Sequence, residues 1–172
     1  LRAQQTFEPL ARDLGLPIHA HPGLIDNNYG RFQGLTHTEA ADAYPQHYAR
    51  WQYTPSQVQL PGGVSLVNVQ VRLLTMMEEL IDRHAEQIVA LAGHQIENKV
   101  RACTLLGLDL YQIGKIQQDT GALDTFQKTN DDWLTLCLND ACHLPDSISA
   151  GLDGLAGSQV RPQQLGAMGS PH

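Results

Sequence analysis

Apolar residues at Leu1, Ala3, Phe7, Leu10, Ala11 and Leu14 recur at helical spacing and predict an opening helix over residues 1–14. Gly15 can stop it, and Pro17 keeps it from resuming before a short extended stretch at 17–20. Residues 23–34 read as a loop, with Asn27, Asn28 and three glycines. Thr36 and Glu39 stand three apart, the spacing at which a hydroxyl and a carboxylate cap each other's backbone N–H, so a helix should begin there. A second short helix is expected from Pro45 to near Tyr53, and a loop from Pro55 to Gly63. The longest helical pattern runs from about Ser65 to His84, with Leu66, Val69, Leu73, Met76, Met77, Leu80 and Ile81 on one side.

The pattern then changes. Gln87 to Ala92 is almost continuously apolar, which predicts a strand buried on both faces, with 88–92 the most buried strand of the fold. A helix should follow over about 96–106, closed by Gly107. Tyr111–Gln117, Leu123–Lys128 and Trp133–Asn139 are further strand candidates. Helices alternating with strands in this order indicate an α/β protein. Beyond Leu144 the chain is rich in Gly, Ser, Pro and Gln, so we expect one domain over 1–144 and a disordered tail over 145–172.

Charge and composition narrow the partners. A formal net charge of −7 argues against a nucleic-acid surface, which needs a basic face. A small phosphorylated molecule needs only a local group of cations. No apolar run approaches the roughly 20 residues of a membrane span. Cys103, Cys137 and Cys142 are not spaced as a zinc motif and read as reduced thiols of a cytoplasmic protein. His19 and His21 lack a nearby carboxylate or cysteine to complete a metal site, so a solvated edge is the better reading.

Five blocks, in order, resemble the histidine phosphatase superfamily, the phosphoglycerate-mutase-like proteins. They are Leu1-Arg2-Ala3-Gln4-Gln5-Thr6, Leu24 to Thr36 with its Tyr29-Gly30, Pro61-Gly62-Gly63-Val64-Ser65-Leu66, Ala92-Gly93-His94 with Asn98-Lys99, and Asn139-Asp140 with His143-Leu144. The resemblance implies a three-layer α/β/α sandwich with its site at the C-terminal ends of the strands. It also implies a histidine in an R-H-G segment that becomes phosphohistidine. That segment is expected upstream of Leu1, so the first strands and the nucleophile should be missing from this chain. An uncovered sheet edge would then favour self-association into a homo-oligomer.

On the same resemblance, Arg2 and His94 bind the phosphoryl group, and Asp26 takes the place of the family's general-acid glutamate. No metal or cofactor is implied. Without the motif, Arg2 is a surface arginine at a helix start and Asp26 a loop aspartate. Three departures stand out: Asp26 is one methylene shorter than glutamate, Val64 replaces the glutamate of G-G-E-S, and Gln95 replaces the glycine after the second histidine. The expected function is phosphomonoester hydrolysis, with phosphoglycerate mutase as the rival enzyme and a pseudo-phosphatase binding module as the rival without catalysis. The short connection from Gly34 to Pro61 favours a compact phosphatase over a mutase. Arg2, one residue from the chain start, is expected to be mobile or displaced, while His94 and Asp26 keep their places.

Overall fold

The computed structural model describes residues 2–145; the expected tail lies almost wholly outside them. Among the described residues there are five α-helices: α1 (Arg2–Leu14), α2 (His37–Ala43), α3 (Pro45–Tyr53), α4 (Leu66–Arg83) and α5 (Gln95–Leu105). They are followed by the strands β1 (Leu123–Lys128) and β2 (Trp133–Asp140). Among the described residues, no helix is long and apolar enough to cross a membrane.

The helix boundaries follow local chemistry. The Thr36 hydroxyl accepts the Glu39 N–H at 3.3 Å, and the Glu39 carboxylate accepts the Thr36 N–H at 2.8 Å, opening α2. The Ser65 hydroxyl accepts the Asn68 N–H at 3.2 Å and opens α4. Leu66, Val69, Leu73 and Met76 form the buried stripe of α4 and pack with Val100 and Cys103 of α5 and with Leu110 and Ile113. Each fully buried aliphatic side chain is worth about 2 kcal/mol, so this seam holds the helices together. By contrast, α1 buries none of its residues, and Leu10 and Leu14 stay about half exposed.

Two expected strands are absent. Leu110–Lys115 is a 3-10 helix, not a strand. Asp109 accepts the Tyr111 N–H at 2.9 Å, and the buried Leu110 and Ile113 are three apart, a helical spacing where a strand would alternate. The 88–92 run is not in a strand either: Ile88 is fully exposed and Val89 is 40% exposed. An apolar run becomes a buried strand only when neighbours take its backbone groups and cover its faces. Among the described residues β1 and β2 pair antiparallel with each other alone, Phe126 opposite Thr135 and Lys128 opposite Trp133.

The hairpin is attached through Asn139, a strand residue with a positive φ of 53°. Its side-chain oxygen accepts the Asp119 N–H at 2.6 Å, and its amide donates to the Asp119 carboxylate at 2.8 Å. Its own N–H donates to Asp124 at 2.8 Å. His143 donates through Nε2 to the Gly121 carbonyl at 3.0 Å, a structural role.

Two loops lock together beside α4. The Arg31 N–H donates to the Pro61 carbonyl at 2.9 Å, and the Val64 N–H donates to the Asn28 carbonyl at 3.0 Å. Gly30 stands at the crossing with φ of +56°, and a Cβ there would lie 2.3 Å from the Pro61 oxygen and 2.4 Å from the Gly63 nitrogen. Both the dihedral and the space demand glycine. Gly30→Ala should therefore cost about 2 kcal/mol or more, read as a lower midpoint in urea unfolding. An unchanged midpoint would mean the two loops are free to separate.

Candidate functional site

Three elements bring Arg2, Asp26 and His94 together. Arg2 opens α1, and its Nη2 lies 3.3 Å from Asp26 Oδ2. His94 is the residue before α5, in extended conformation, and its Nδ1 lies 3.4 Å from the same oxygen. The side chains are 81%, 38% and 22% exposed for Arg2, Asp26 and His94, so the site grows drier toward the histidine. Arg2 is thus not displaced; it reaches Asp26 across the loop.

The loop's path is fixed on both sides of Asp26. Before it, His21 Nδ1 accepts the Gly23 N–H at 3.0 Å and opens a 3-10 turn at Pro22–Leu24. That bond makes Nδ1 the acceptor, which leaves Nε2 to donate toward Glu79 at 3.4 Å. Arg72 of α4 then donates to the Ile25 carbonyl. After it, Asp26 Oδ1 accepts the Asn27 N–H at 2.8 Å, and Asn28 is pinned to Val64. Among the described residues, no group of three or more His, Cys, Asp or Glu side chains could hold a metal ion.

Behind His94 lies a charged group that the sequence reading did not single out. Glu97 is fully buried, and its carboxylate accepts the His94 backbone N–H at 3.2 Å. Its other oxygen faces Arg101 Nη1 at 3.8 Å, while Arg101 Nη2 donates to Asn98 at 2.9 Å. Burial pushes the Glu97 carboxyl up and the charge of Asp26 adds to the rise; Arg101, the His94 N–H and Arg72 pull the other way. Burial likewise pulls the Arg101 guanidinium down, with Glu97 opposing. The carboxylate also fills the space beside Gly93, where a Cβ would come within 2.6 Å of it. The signal was present: a glutamate three residues past the helix cap and four before an arginine, inside an otherwise apolar helix face.

Tyr29 is the second residue missed. Its ring meets Trp51 of α3 edge-on, with centroids 5.8 Å apart. Burial, helped by the negative charge of Asp26, pushes its phenol up to about 12.

Of the three departures from the family pattern, Asp26 stands in the site and the other two have structural places. Val64 packs against the core, and the Gln95 amide turns to the Gln118 carbonyl at 3.0 Å. A cleft of about 440 Å³ lies elsewhere, lined by Val67, Gln70, Leu110 and Tyr111 among others, and contains none of the three site residues.

A histidine at a helix start, an arginine at another and a loop carboxylate thus meet at one oxygen. The chain belongs to the histidine phosphatase superfamily (branch 1), whose family model matches residues 1–141. It is 28% identical to phosphoserine phosphatase 1 of Hydrogenobacter thermophilus over 143 residues, which are 83% of this chain and 68% of that protein. YhfR of Bacillus stearothermophilus superposes with a TM-score of 0.78 at 20% identity, covering 84% of this chain and 72% of that one. A mycobacterial glucosyl-3-phosphoglycerate phosphatase, solved in complex with VO3, gives 0.72 at 23% identity over 81% and 72%. These likenesses show the α/β histidine-phosphatase fold.

Two outcomes check this electrostatic picture. Glu97→Ala strands a buried guanidinium and should cost about 3 kcal/mol, whereas Glu97→Leu with Arg101→Leu should recover most of it. Equal losses in the two variants, by chemical denaturation, would mean the pair does not interact. For Tyr29, the folded value near 12 stands above the ordinary 10.0. The folded state thus keeps a proton that the unfolded state releases, and the resulting stability is whole below pH 10.0 and lost as pH rises toward about 12. In a phenolate absorbance titration, Tyr29→Phe should remove the last-titrating tyrosine; retention of that step would disprove the assignment.

Proposed function

We propose that this chain carries the phosphate-binding and leaving-group side of a phosphomonoesterase site. The observation that carries it is the shared contact: Arg2 at 3.3 Å and His94 at 3.4 Å on one oxygen of Asp26. Arg2 offers a guanidinium fork to two phosphoryl oxygens. His94 donates to a third, in the drier part of the site where such bonds are stronger. Asp26 protonates the departing alkoxide as the phosphorus–oxygen bond breaks.

None of the chain's histidines stands in an Arg-His-Gly segment. The covalent step, in which phosphorus bonds to an imidazole nitrogen and is later released to water, is therefore assigned to a histidine outside these 172 residues. Phosphoserine phosphatase 1 shares the matched region, which supports a small phosphorylated metabolite as the substrate class; the free cysteines Cys103, Cys137 and Cys142 support a cytoplasmic setting. The reading without catalysis rests on the missing nucleophile, the shorter Asp26, Val64 and Gln95; of these, the Val64 and Gln95 side chains are turned to structural work.

Inorganic phosphate titrated into the 172-residue chain should shift the His94 ring resonances, and Arg2→Gln should weaken that binding. Turnover of an aryl phosphate by the same chain should be negligible, because the nucleophile is not supplied. Robust turnover abolished by His94→Ala would make His94 the nucleophile and overturn the assignment. Ring signals indifferent to phosphate would remove the site altogether.

A further inference from the structure

The Asp26 carboxylate does not stand beside Arg2 and His94; it stands between them. One of its oxygens touches both Arg2 and His94, the two groups that the phosphate-site reading gives to phosphoryl oxygens. We propose that Asp26 is the resting occupant of the anion site, and that it selects dianionic phosphomonoesters by making every incoming anion displace it. The proposal rests on the phosphate-site reading.

The backbone around Asp26 cannot yield easily. Arg72 grips the Ile25 carbonyl, and the Asn28 carbonyl is held by the Val64 N–H at 3.0 Å. Displacement is therefore a rotation of the side chain about its first bond, between staggered positions, with the loop fixed. The rotation gives up the Oδ1 contact with the Asn27 N–H and the Oδ2 contacts with Arg2 and His94. It also moves the carboxylate away from the two donors toward the rim of the site, where it takes up a proton from solvent before it serves a leaving oxygen.

Charge then decides which anion enters. A phosphomonoester dianion replaces one negative charge with two and offers three terminal oxygens to the same donors. A phosphodiester carries a single charge, matches the carboxylate only charge for charge, and gains nothing for the displacement. The shorter side chain of Asp26, which could be taken as a defect in an acid, suits a group that must fit between Arg2 and His94 at rest.

The test uses the full 172-residue chain, with inorganic phosphate and dimethyl phosphate as probes and the His94 ring resonances as readout. Wild type should bind phosphate and fail to bind dimethyl phosphate. Asp26→Asn keeps the acceptor for the Asn27 N–H but removes the competing charge. It should bind phosphate about fivefold tighter, the scale set by freeing the exposed Arg2 ion pair and the His94 contact, and should admit dimethyl phosphate. Asp26→Ser should behave alike if the asparagine variant folds poorly. Phosphate affinity unchanged or weakened in both variants overturns the resting-occupant proposal while leaving the phosphate site intact. Equal binding of dimethyl phosphate by wild type and variants overturns the selection for dianions. Absence of phosphate binding in every protein overturns the site reading itself.

Discussion

Burial of one face of α4 organises everything that bears on the chemistry. Leu66, Val69, Leu73 and Met76 seat that helix against α5 and the Leu110–Ile113 turn, and the site is hung from the two helices so joined. The same helix supplies Arg72, which grips the carbonyl before Asp26. Its partner α5 begins at His94. Asp26 and His94 are 68 residues apart in sequence, and their 3.4 Å approach follows from this seam. Loosening the seam would therefore separate Asp26 from His94.

The second constraint is electrostatic. The chain is acidic overall and keeps a carboxylate, Glu97, fully buried behind the histidine. Arg101 and Arg72 balance it, so the interior charge is compensated locally. Glu97 also takes the His94 N–H, which fixes the peptide that carries the imidazole. Positioning and charge balance are thus served by the same carboxylate.

How much of this could be read from the residues varies with the kind of signal. Thr36 with Glu39, Ser65, Pro45 and Gly107 mark helix ends by chemistry that acts within a few residues, and those ends are where expected. The 88–92 run fails for the opposite reason: apolarity declares a demand for neighbours without naming any, and Ile88 remains in solvent. Tyr111–Gln117 fails because Asp109 and the Leu110–Ile113 spacing were outweighed by β-prone composition. At the site, Arg2, Asp26 and His94 were legible only through a motif, since no local rule joins residues so far apart. Glu97 and Arg101 escaped because charged residues on a helix ordinarily face water.

The attachment of the hairpin through Asn139 has a chemical consequence of another kind. That one amide is donor and acceptor at once toward Asp119, at 2.8 and 2.6 Å, while its backbone holds a left-handed conformation. Hydrolysis of the amide to an acid, the commonest slow damage to asparagine in an ageing protein, would delete the donor and set a second carboxylate against Asp119. A clasp would become a repulsion with the loss of a single nitrogen. The lifetime of the folded hairpin is in this sense written into the covalent durability of one side chain.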